Sequence, residues 1–320
     1  MVAALIILVT AIFCVGFLYT RFVDRQLIRS YPARGQLTPV AGGAIHWSCV
    51  QPDTTENAKP PLILIHGLAG NLHNFAALEK RLSATYTVYC VDRPGSGHAQ
   101  RLFDTDSSFE EQSRMLVEWM DKENIPPAII VGHSMGGGIA LNMALQFPHY
   151  VAGLALLCPL AAPLNIRVSG FTRWALKRAW VRLFAAKFLL STFRKRYSQQ
   201  QVSAIFAPEL PHTGFASDYG GALSMHSASF FAASSDLASA QRSLYSQYQH
   251  YHAITCPVGV IYGDGDRILS HRLHMGHMQK LLPEAHYVLL EGKGHMLPIT
   301  AVDECTSLIA RVSDEAAQKA

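Results

Sequence analysis

A serine at the boundary between an apolar run and a helical pattern is the residue best placed for covalent chemistry. Ile129-Ile130-Val131 predicts a short buried strand, Gly132-His133-Ser134-Met135-Gly136 follows it, and an amphipathic helix pattern continues to about Phe147. A Gly-x-Ser-x-Gly turn between a strand and a helix raises the hydroxyl above the sheet, and its glycines let neighbouring chain approach closely. The N–H groups at the start of the helix have no partner within it and face the same point. Ser134 is therefore predicted to be a nucleophile.

A serine nucleophile needs a base, and the base needs an acid behind it. Histidine suits the first role because its pKa lies near neutrality, and a carboxylate fixes the tautomer of its ring. His295 lies in a glycine-flanked turn after the last predicted strand, and Asp266 follows the strand that ends in Ile261-Tyr262-Gly263. Asp264, two residues nearer that strand, is the alternative acid. The order serine, aspartate, histidine, each in a loop after a strand, is typical of a catalytic triad.

An attacking serine also needs two backbone N–H donors for the oxyanion that forms. Met135 is predicted to supply one, because it directly follows the nucleophile. The loop after the apolar run Leu62–Ile65 reads His66-Gly67-Leu68-Ala69-Gly70, and the N–H of Leu68 is predicted to be the other.

Strands that alternate with helices must position these loops. Short apolar runs predict strands buried on both faces of a parallel sheet, and the pattern predicts an α/β doubly wound fold with its site at the C-terminal strand ends. The predicted strands are Ala44–Val50, Leu62–Ile65, Thr87–Val91, Ala128–Val131, Val151–Leu157, Val258–Tyr262 and Tyr287–Leu290, and the predicted helices are Leu72–Leu82, Ser108–Glu123, His271–Leu282 and Asp303–Val312.

Several motifs in order resemble the α/β-hydrolase fold superfamily. They are His66-Gly67, Asp92-Arg93-Pro94-Gly95-Ser96-Gly97, the serine turn, Gly263-x-x-Asp266 and Gly294-His295, and the resemblance covers about Leu62–Leu160 and Thr255–Val312. It implies a mostly parallel central sheet flanked by helices, with a helical cap inserted. Together with the apolar N-terminal segment described below, the capped core resembles membrane-anchored bacterial hydrolases and monoacylglycerol-lipase-like enzymes. The superfamily also includes carbon–carbon bond hydrolases and cofactor-free perhydrolases.

The stretch from Pro159 to about Tyr251 breaks the alternation and is predicted to be a cap over the same sheet edge. Nine basic residues and no acid occur in its first half, interleaved with aromatic residues and leucines. One interpretation is a lid that packs its aromatic rings on the core, and the other is an amphipathic element lying on anionic lipid. The basic residues are Arg167, Arg173, Lys177, Arg178, Arg182, Lys187, Arg194, Lys195 and Arg196.

The first residues predict a membrane anchor. Val2–Thr20 carries no charge, and a helix of that length spans about 28 Å, close to the hydrocarbon thickness of a bilayer. A cleaved signal peptide and a buried helix are the alternatives. Four arginines follow, which by the positive-inside rule place the body in the cytoplasm. The predicted domains are an anchor over 1–20, a core over 21–160 and 251–320, and a cap over 161–250.

Other classes of site have weaker signals. The six cysteines are scattered and predict buried free thiols. His271, His274 and His277 recur on one predicted helix, where a solvated face is favoured over a metal site. His66 and His133 are predicted to organise loops. No nucleotide-binding pattern follows a strand and no basic-aromatic pattern suggests nucleic acid, so neither cofactor nor metal is expected.

The predicted function is therefore a membrane-anchored serine hydrolase that cleaves carboxylic esters of apolar or lipid-like acyl chains. The same residues could support acyl transfer, perhydrolysis or carbon–carbon cleavage. A non-catalytic binding protein on this fold is the remaining alternative.

Overall fold

A nine-stranded, mostly parallel sheet organises the chain, as the predicted fold class requires. The structure is a computed structural model that describes residues 1–53, 59–164, 177–189 and 199–319. Strand order is β1-β2-β4-β3-β6-β7-β8-β9, and β5 pairs with β2. The strands are β1 (Gln36–Val40), β2 (Gly43–Val50), β3 (Leu62–Ile65), β4 (Val88–Asp92), β5 (Gln100–Arg101), β6 (Ala128–His133), β7 (Val151–Leu157), β8 (Val258–Gly263) and β9 (His286–Leu290).

Helices flank this sheet, with α2 packed on α9 and α3 packed on α4. They are α1 (Val2–Ser30), α2 (Ala76–Leu82), α3 (Phe109–Lys122), α4 (Met135–Gln146), α5 (Ala179–Phe184), α6 (Ser227–Gln247), α7 (His271–Leu281), α8 (Leu297–Thr300) and α9 (Val302–Lys319). Residues 199–206 are also helical. Every residue of β3, β6 and β8 is buried, because helices cover both faces of these central strands.

The predicted elements differ from the structure mainly at their ends. The expected helix over Leu72–Leu82 begins as a 3₁₀ turn, Leu72–Phe75, whose start is held by a reciprocal cap between Asn71 and Asn74. The last helix continues to Lys319 rather than ending at Val312. Strands β1 and β5 were not predicted.

The apolar helix α1 runs ten residues beyond the predicted end at Thr20. Its most apolar 18-residue window has a mean hydropathy of 2.7, which is enough by length and composition to cross a membrane. Its later part is tied to the body, since the Asp24 carboxylate accepts hydrogen bonds from the Ser227 N–H at 3.0 Å and the Ser227 hydroxyl at 2.6 Å. Ser227 is the first residue of α6.

The segment predicted to be the cap (161–250, called the cap below) packs some of its described aromatic rings on α1. Ring centroids lie 5.2 Å apart for Phe13 and Phe184, and 5.5 Å apart for Phe17 and Phe188. A side chain at Gly16 would clash with the backbone of Phe188, so the two segments lie in close contact. The interpretation in which all the aromatic rings cover the sheet core is therefore wrong for Phe184 and Phe188. Of the basic residues named above, Arg167, Arg173, Arg194, Lys195 and Arg196 lie outside the described residues.

All six cysteines are free thiols. Cys90, Cys158 and Cys305 are buried, as expected for small apolar side chains, whereas Cys14 on α1 is exposed.

Candidate active site

The turn between β6 and α4 holds Ser134 in an unusual backbone conformation. Its φ is 54° and its ψ is −118°, a left-handed region that costs free energy for any residue with a side chain. The flanking glycines are required by close packing. A side chain at Gly132 would lie 2.6 Å from the Cα of Gly137, and one at Gly136 would overlap the carbonyl oxygen of Ile65. The strained turn and the two close approaches together explain the Gly-x-Ser-x-Gly pattern.

The structure brings Ser134, His295 and Asp266 into one hydrogen-bonded chain. The distance from His295 Nε2 to Ser134 Oγ is 2.9 Å, and that from His295 Nδ1 to Asp266 Oδ2 is 2.7 Å. All three residues are buried. Because a carboxylate only accepts, Nδ1 carries the hydrogen, and Nε2 is left to accept the proton of the serine hydroxyl.

Asp266 is held as a carboxylate. Burial alone would raise its pKa, but the hydrogen bond from His295 and the N–H groups of Leu269 and Ile268 lower the pKa overall. These two N–H groups donate to Oδ1 at 2.9 and 2.8 Å. Asp264, the alternative acid, instead accepts from the N–H of Gly292 at 2.7 Å and braces the turn after β9. The geometry therefore favours Asp266 as the partner of the histidine.

His133 supports the loop that carries His295. Its Nε2 donates to the carbonyl oxygen of His295 at 3.0 Å, and the two rings lie 5.0 Å apart. Burial, followed by the proximity of His295, lowers the pKa of His133 to about 3, so the ring is neutral at physiological pH. This matches its expected part in organising loops.

The loop after β3 lies against the nucleophile. A Cβ at Gly67 would be 3.0 Å from the Cβ of Ser134, so the following peptide borders the serine. No acceptor among the described residues takes the N–H of Leu68. The N–H of Met135 is the first in α4 and has no intrahelical acceptor. Both predicted oxyanion donors thus stand at the edge where the serine lies.

The histidines of α7 correct one sequence-based interpretation. His274 is buried rather than solvated, and its Nδ1 accepts from the N–H of Ala162 at 3.0 Å. His277 Nε2 donates to the carbonyl oxygen of Tyr248 at 2.7 Å. The expectation of a solvated face is wrong for His274, because its ring packs against the chain that follows β7. His277 is half-buried and bonds to the residue that follows α6.

The sequence motifs did not predict the buried ion pair of Arg93, which lies near the candidate site. Arg93 is fully buried and forms an ion pair with Asp236 of α6, with an Nη1–Oδ2 distance of 2.8 Å. In the sequence, Arg93 is recognisable only as part of the Asp92–Gly97 motif. That motif does not indicate a partner 143 residues away. The available signal was weak: Arg93 directly follows an apolar strand, and a charge that becomes buried there needs a partner.

A cluster with metal-ligand chemistry overlaps the site. Ligand atoms of Cys158, Asp266 and His295 lie within 4.8 Å of one another. The carboxylate and the imidazole already bond to each other, and burial raises the pKa of the Cys158 thiol well above its usual value. Hydrogen bonding within the triad therefore accounts for the cluster.

A sequence profile of the alpha/beta hydrolase fold matches residues 60–302, three quarters of the chain. The chain belongs to the α/β-hydrolase fold family. This agrees with the sheet order, the strained serine turn and the spacing of the triad loops.

Curated relatives of this chain include a lipase. Lipase 1 of Psychrobacter immobilis is 24% identical over 253 residues, 77% of this chain and 74% of that protein. The abhydrolase domain-containing protein abhd-5.2 of Caenorhabditis elegans is 33% identical over 115 residues, 35% of this chain and 26% of that protein. The chain spans less than half the length of the first curated relatives it matches.

Among solved structures, an esterase from Exiguobacterium antarcticum superposes with a TM-score of 0.70 at 20% identity. The match covers 87% of this chain and 99% of the esterase. At this identity the likeness shows the fold alone.

Proposed function

We propose that this α/β-hydrolase is a serine hydrolase that cleaves carboxylic esters through an acyl-enzyme on Ser134. The observation that carries the proposal is the chain of two hydrogen bonds, 2.9 Å from Ser134 Oγ to His295 Nε2 and 2.7 Å from His295 Nδ1 to Asp266. It supplies the nucleophile, the base and the acid in the geometry that general-base catalysis requires.

The reaction follows from these contacts. Ser134 Oγ attacks the ester carbonyl while its proton passes to His295 Nε2, and the oxyanion accepts hydrogen bonds from the Leu68 and Met135 N–H groups. Collapse of the tetrahedral intermediate breaks the ester bond, and His295 returns the proton to the departing alcohol. Water then attacks the acyl-serine, with the histidine again taking a proton, and the acid and Ser134 are released.

The substrate class is proposed from the surroundings of the site. Phe184 and Phe188 of the cap pack on the apolar helix α1, which places the cap beside a segment able to cross a membrane. Esters of medium or long acyl chains would reach such a cap directly from a bilayer. The similarity to Lipase 1 of Psychrobacter immobilis supports the same class.

The membrane orientation is proposed from charge. Arg21, Arg25, Arg29 and Arg34 all lie on the C-terminal side of the apolar segment, and positive residues are retained in the cytoplasm. The catalytic body would then face the cytoplasm.

The first experiment compares hydrolysis of p-nitrophenyl esters, from acetyl to palmitoyl, by the detergent-solubilised wild type and Ser134→Ala. We expect a maximum at medium or long chains and a loss of at least about 10³-fold in kcat on substitution. Ser217→Ala, which alters an exposed serine of the cap, is the matched control and should retain full activity. Preference for acetyl esters would contradict the lipid-like substrate. Undiminished activity of Ser134→Ala would contradict the whole proposal.

A further inference from the structure

The peptide that joins Gly67 to Leu68 is held in place through its carbonyl oxygen. This oxygen accepts from His66 Nδ1 at 2.8 Å, from Arg93 Nη2 at 3.1 Å and from the Gly70 N–H at 3.2 Å. A trans peptide is planar, and its C=O and N–H point in opposite directions. Three donors on the oxygen therefore fix the direction of the Leu68 N–H, which the proposed mechanism uses.

His66 can donate to Gly67 only in one tautomer, and the backbone selects it. The N–H of Arg93 donates to His66 Nε2 at 3.0 Å, so Nε2 carries no hydrogen and Nδ1 does. Burial, followed by the charge of Arg93, lowers the pKa of His66 to about 4, which keeps this neutral form at physiological pH.

The Arg93 guanidinium spans the loop and the cap. Nε donates to the carbonyl oxygen of His66 at 3.0 Å, Nη2 to that of Gly67, and Nη1 to Asp236 Oδ2 at 2.8 Å. Gln112 of α3 also accepts from Nη1, at 2.8 Å. A guanidinium is rigid and planar, so holding one edge sets the direction of the others.

Asp236 is the point at which the cap holds this arginine. It lies in α6, is fully buried, and pairs through Oδ1 with Arg101 Nη1 at 2.6 Å. Removing a buried carboxylate that lies between two arginines costs free energy, because it leaves buried positive charge without a partner. Arg101 pairs with the same carboxylate, but among the described residues its guanidinium donates to Asp236 and to the carbonyl oxygen of Ala232 and not to the 66–70 loop.

We infer that Arg93 and Asp236 are positioning residues, through which cap helix α6 sets the direction of the Leu68 N–H in the oxyanion hole. The inference deepens the proposed function and rests on it. A displaced carboxylate would let the guanidinium turn, and the Gly67–Leu68 peptide would lose one of its three restraints. The docking of the cap and the competence of the catalytic site are thereby linked.

The test measures the oxyanion hole with two readouts. One is the second-order rate at which a fluorophosphonate labels Ser134, in which the serine oxygen bonds to phosphorus, fluoride leaves and the proton passes to His295. The other is the kcat and KM for p-nitrophenyl butyrate. We expect Arg93→Lys and Asp236→Asn to lower the labelling rate and kcat together by about 10- to 100-fold, with KM changed by no more than about threefold.

Arg101→Lys is the matched control, because it alters the other arginine bound to the same carboxylate. It should label and turn over within about twofold of the wild type, as expected when the contacts to the loop are intact. Circular dichroism and thermal unfolding show whether each variant is folded. Where Asp236→Asn does not fold, Asp236→Glu keeps the charge, displaces it by one methylene and carries the same expectation.

The outcomes separate the two proposals. Folded Arg93 and Asp236 variants that label at the wild-type rate would overturn the inference and leave the ester hydrolase proposal standing. Equal losses in Arg101→Lys would also overturn it, since the effect would then be general to the ion cluster. A wild type that is neither labelled nor active on esters would overturn the proposed function and the inference with it.

Discussion

Three histidines around the site, His66, His133 and His274, are neutral because each ring is buried and has a hydrogen-bonded nitrogen. Burial is the largest cause in every case, and the pKa falls to about 3 for His133 and to about 4 for His66 and His274. The nitrogens that protonation would convert to donors already accept N–H groups in His66 and His274. Protonation of these histidines at low pH would therefore break the hydrogen bonds that order the loops of the site.

The stability of the protein should decrease between neutral pH and pH 4. In the unfolded chain these histidines have a pKa of about 6.5, so the unfolded state takes up protons first as the pH falls. Stability is fully present above that value and is lost at about 1.4 kcal/mol per pH unit for each buried histidine. Urea unfolding at pH 7, 6 and 5 measures this slope. His133→Gln should reduce it by about 1.4 kcal/mol per pH unit, the contribution of one protonating group.

The exposed-site variant Ser217→Ala should retain the wild-type slope and serves as the reference. An unchanged slope in folded His133→Gln would mean that His133 is protonated in the native state, contrary to its environment.

At the scale of elements, glycines decide how closely α4 can approach β3. Gly136 lies where any side chain would overlap the carbonyl oxygen of Ile65, whereas a Cβ at Gly276 in α7 would meet nothing within 4 Å. Gly136→Ala should therefore destabilise the protein by about 1–3 kcal/mol through overpacking. It should also lower activity, because it displaces the 66–70 loop that carries the proposed oxyanion donor Leu68. Gly276→Ala should stabilise it by up to about 1 kcal/mol through helix propensity. Urea unfolding and ester turnover test both, and equal effects would show that propensity rather than contact dominates at Gly136.

Which strands and contacts the sequence could predict depends on whether the signal is local. Central strands such as β3, and β6 up to Val131, are short apolar runs between turn residues, so their length and boundaries identify them. Strand β1 was missed because it is an edge strand, partly exposed and carrying Pro39, which weakens the pattern. The order of the triad loops predicts their meeting at one sheet edge, since parallel strands end there. The Arg93–Asp236 pair and the burial of His274 depend on contacts between distant segments, which local patterns do not encode.

At the scale of the whole molecule, the apolar helix α1, the cap and the 66–70 loop are connected. Helix α1 contacts the cap through Phe13 and Phe17, Asp24 caps α6 at Ser227, and α6 carries Asp236 to Arg93. If residues 2–20 of this helix lie in a bilayer, Phe13 and Phe17 lie within it, and the cap rings that they contact would be held at the membrane. The proposed route for a lipid ester then passes from the bilayer to the cap and on to Ser134.

Loosening the contact between the cap and α1 should affect membrane substrates more than soluble ones. Phe188→Ala removes one ring, whose centroid lies 5.5 Å from that of Phe17 and 6.0 Å from that of Phe13. Loss of such a contact costs about 1 kcal/mol, or roughly fivefold in rate. We expect that decrease for long-chain esters presented in phospholipid vesicles, with p-nitrophenyl butyrate turnover unchanged. Phe103→Ala, which removes a stacked ring 5.9 Å from Phe231 outside the contact with α1, is the control. Equal losses on both substrates would mean that the aromatic contact stabilises the fold without directing the cap to the bilayer, because only a membrane-specific role separates the two assays.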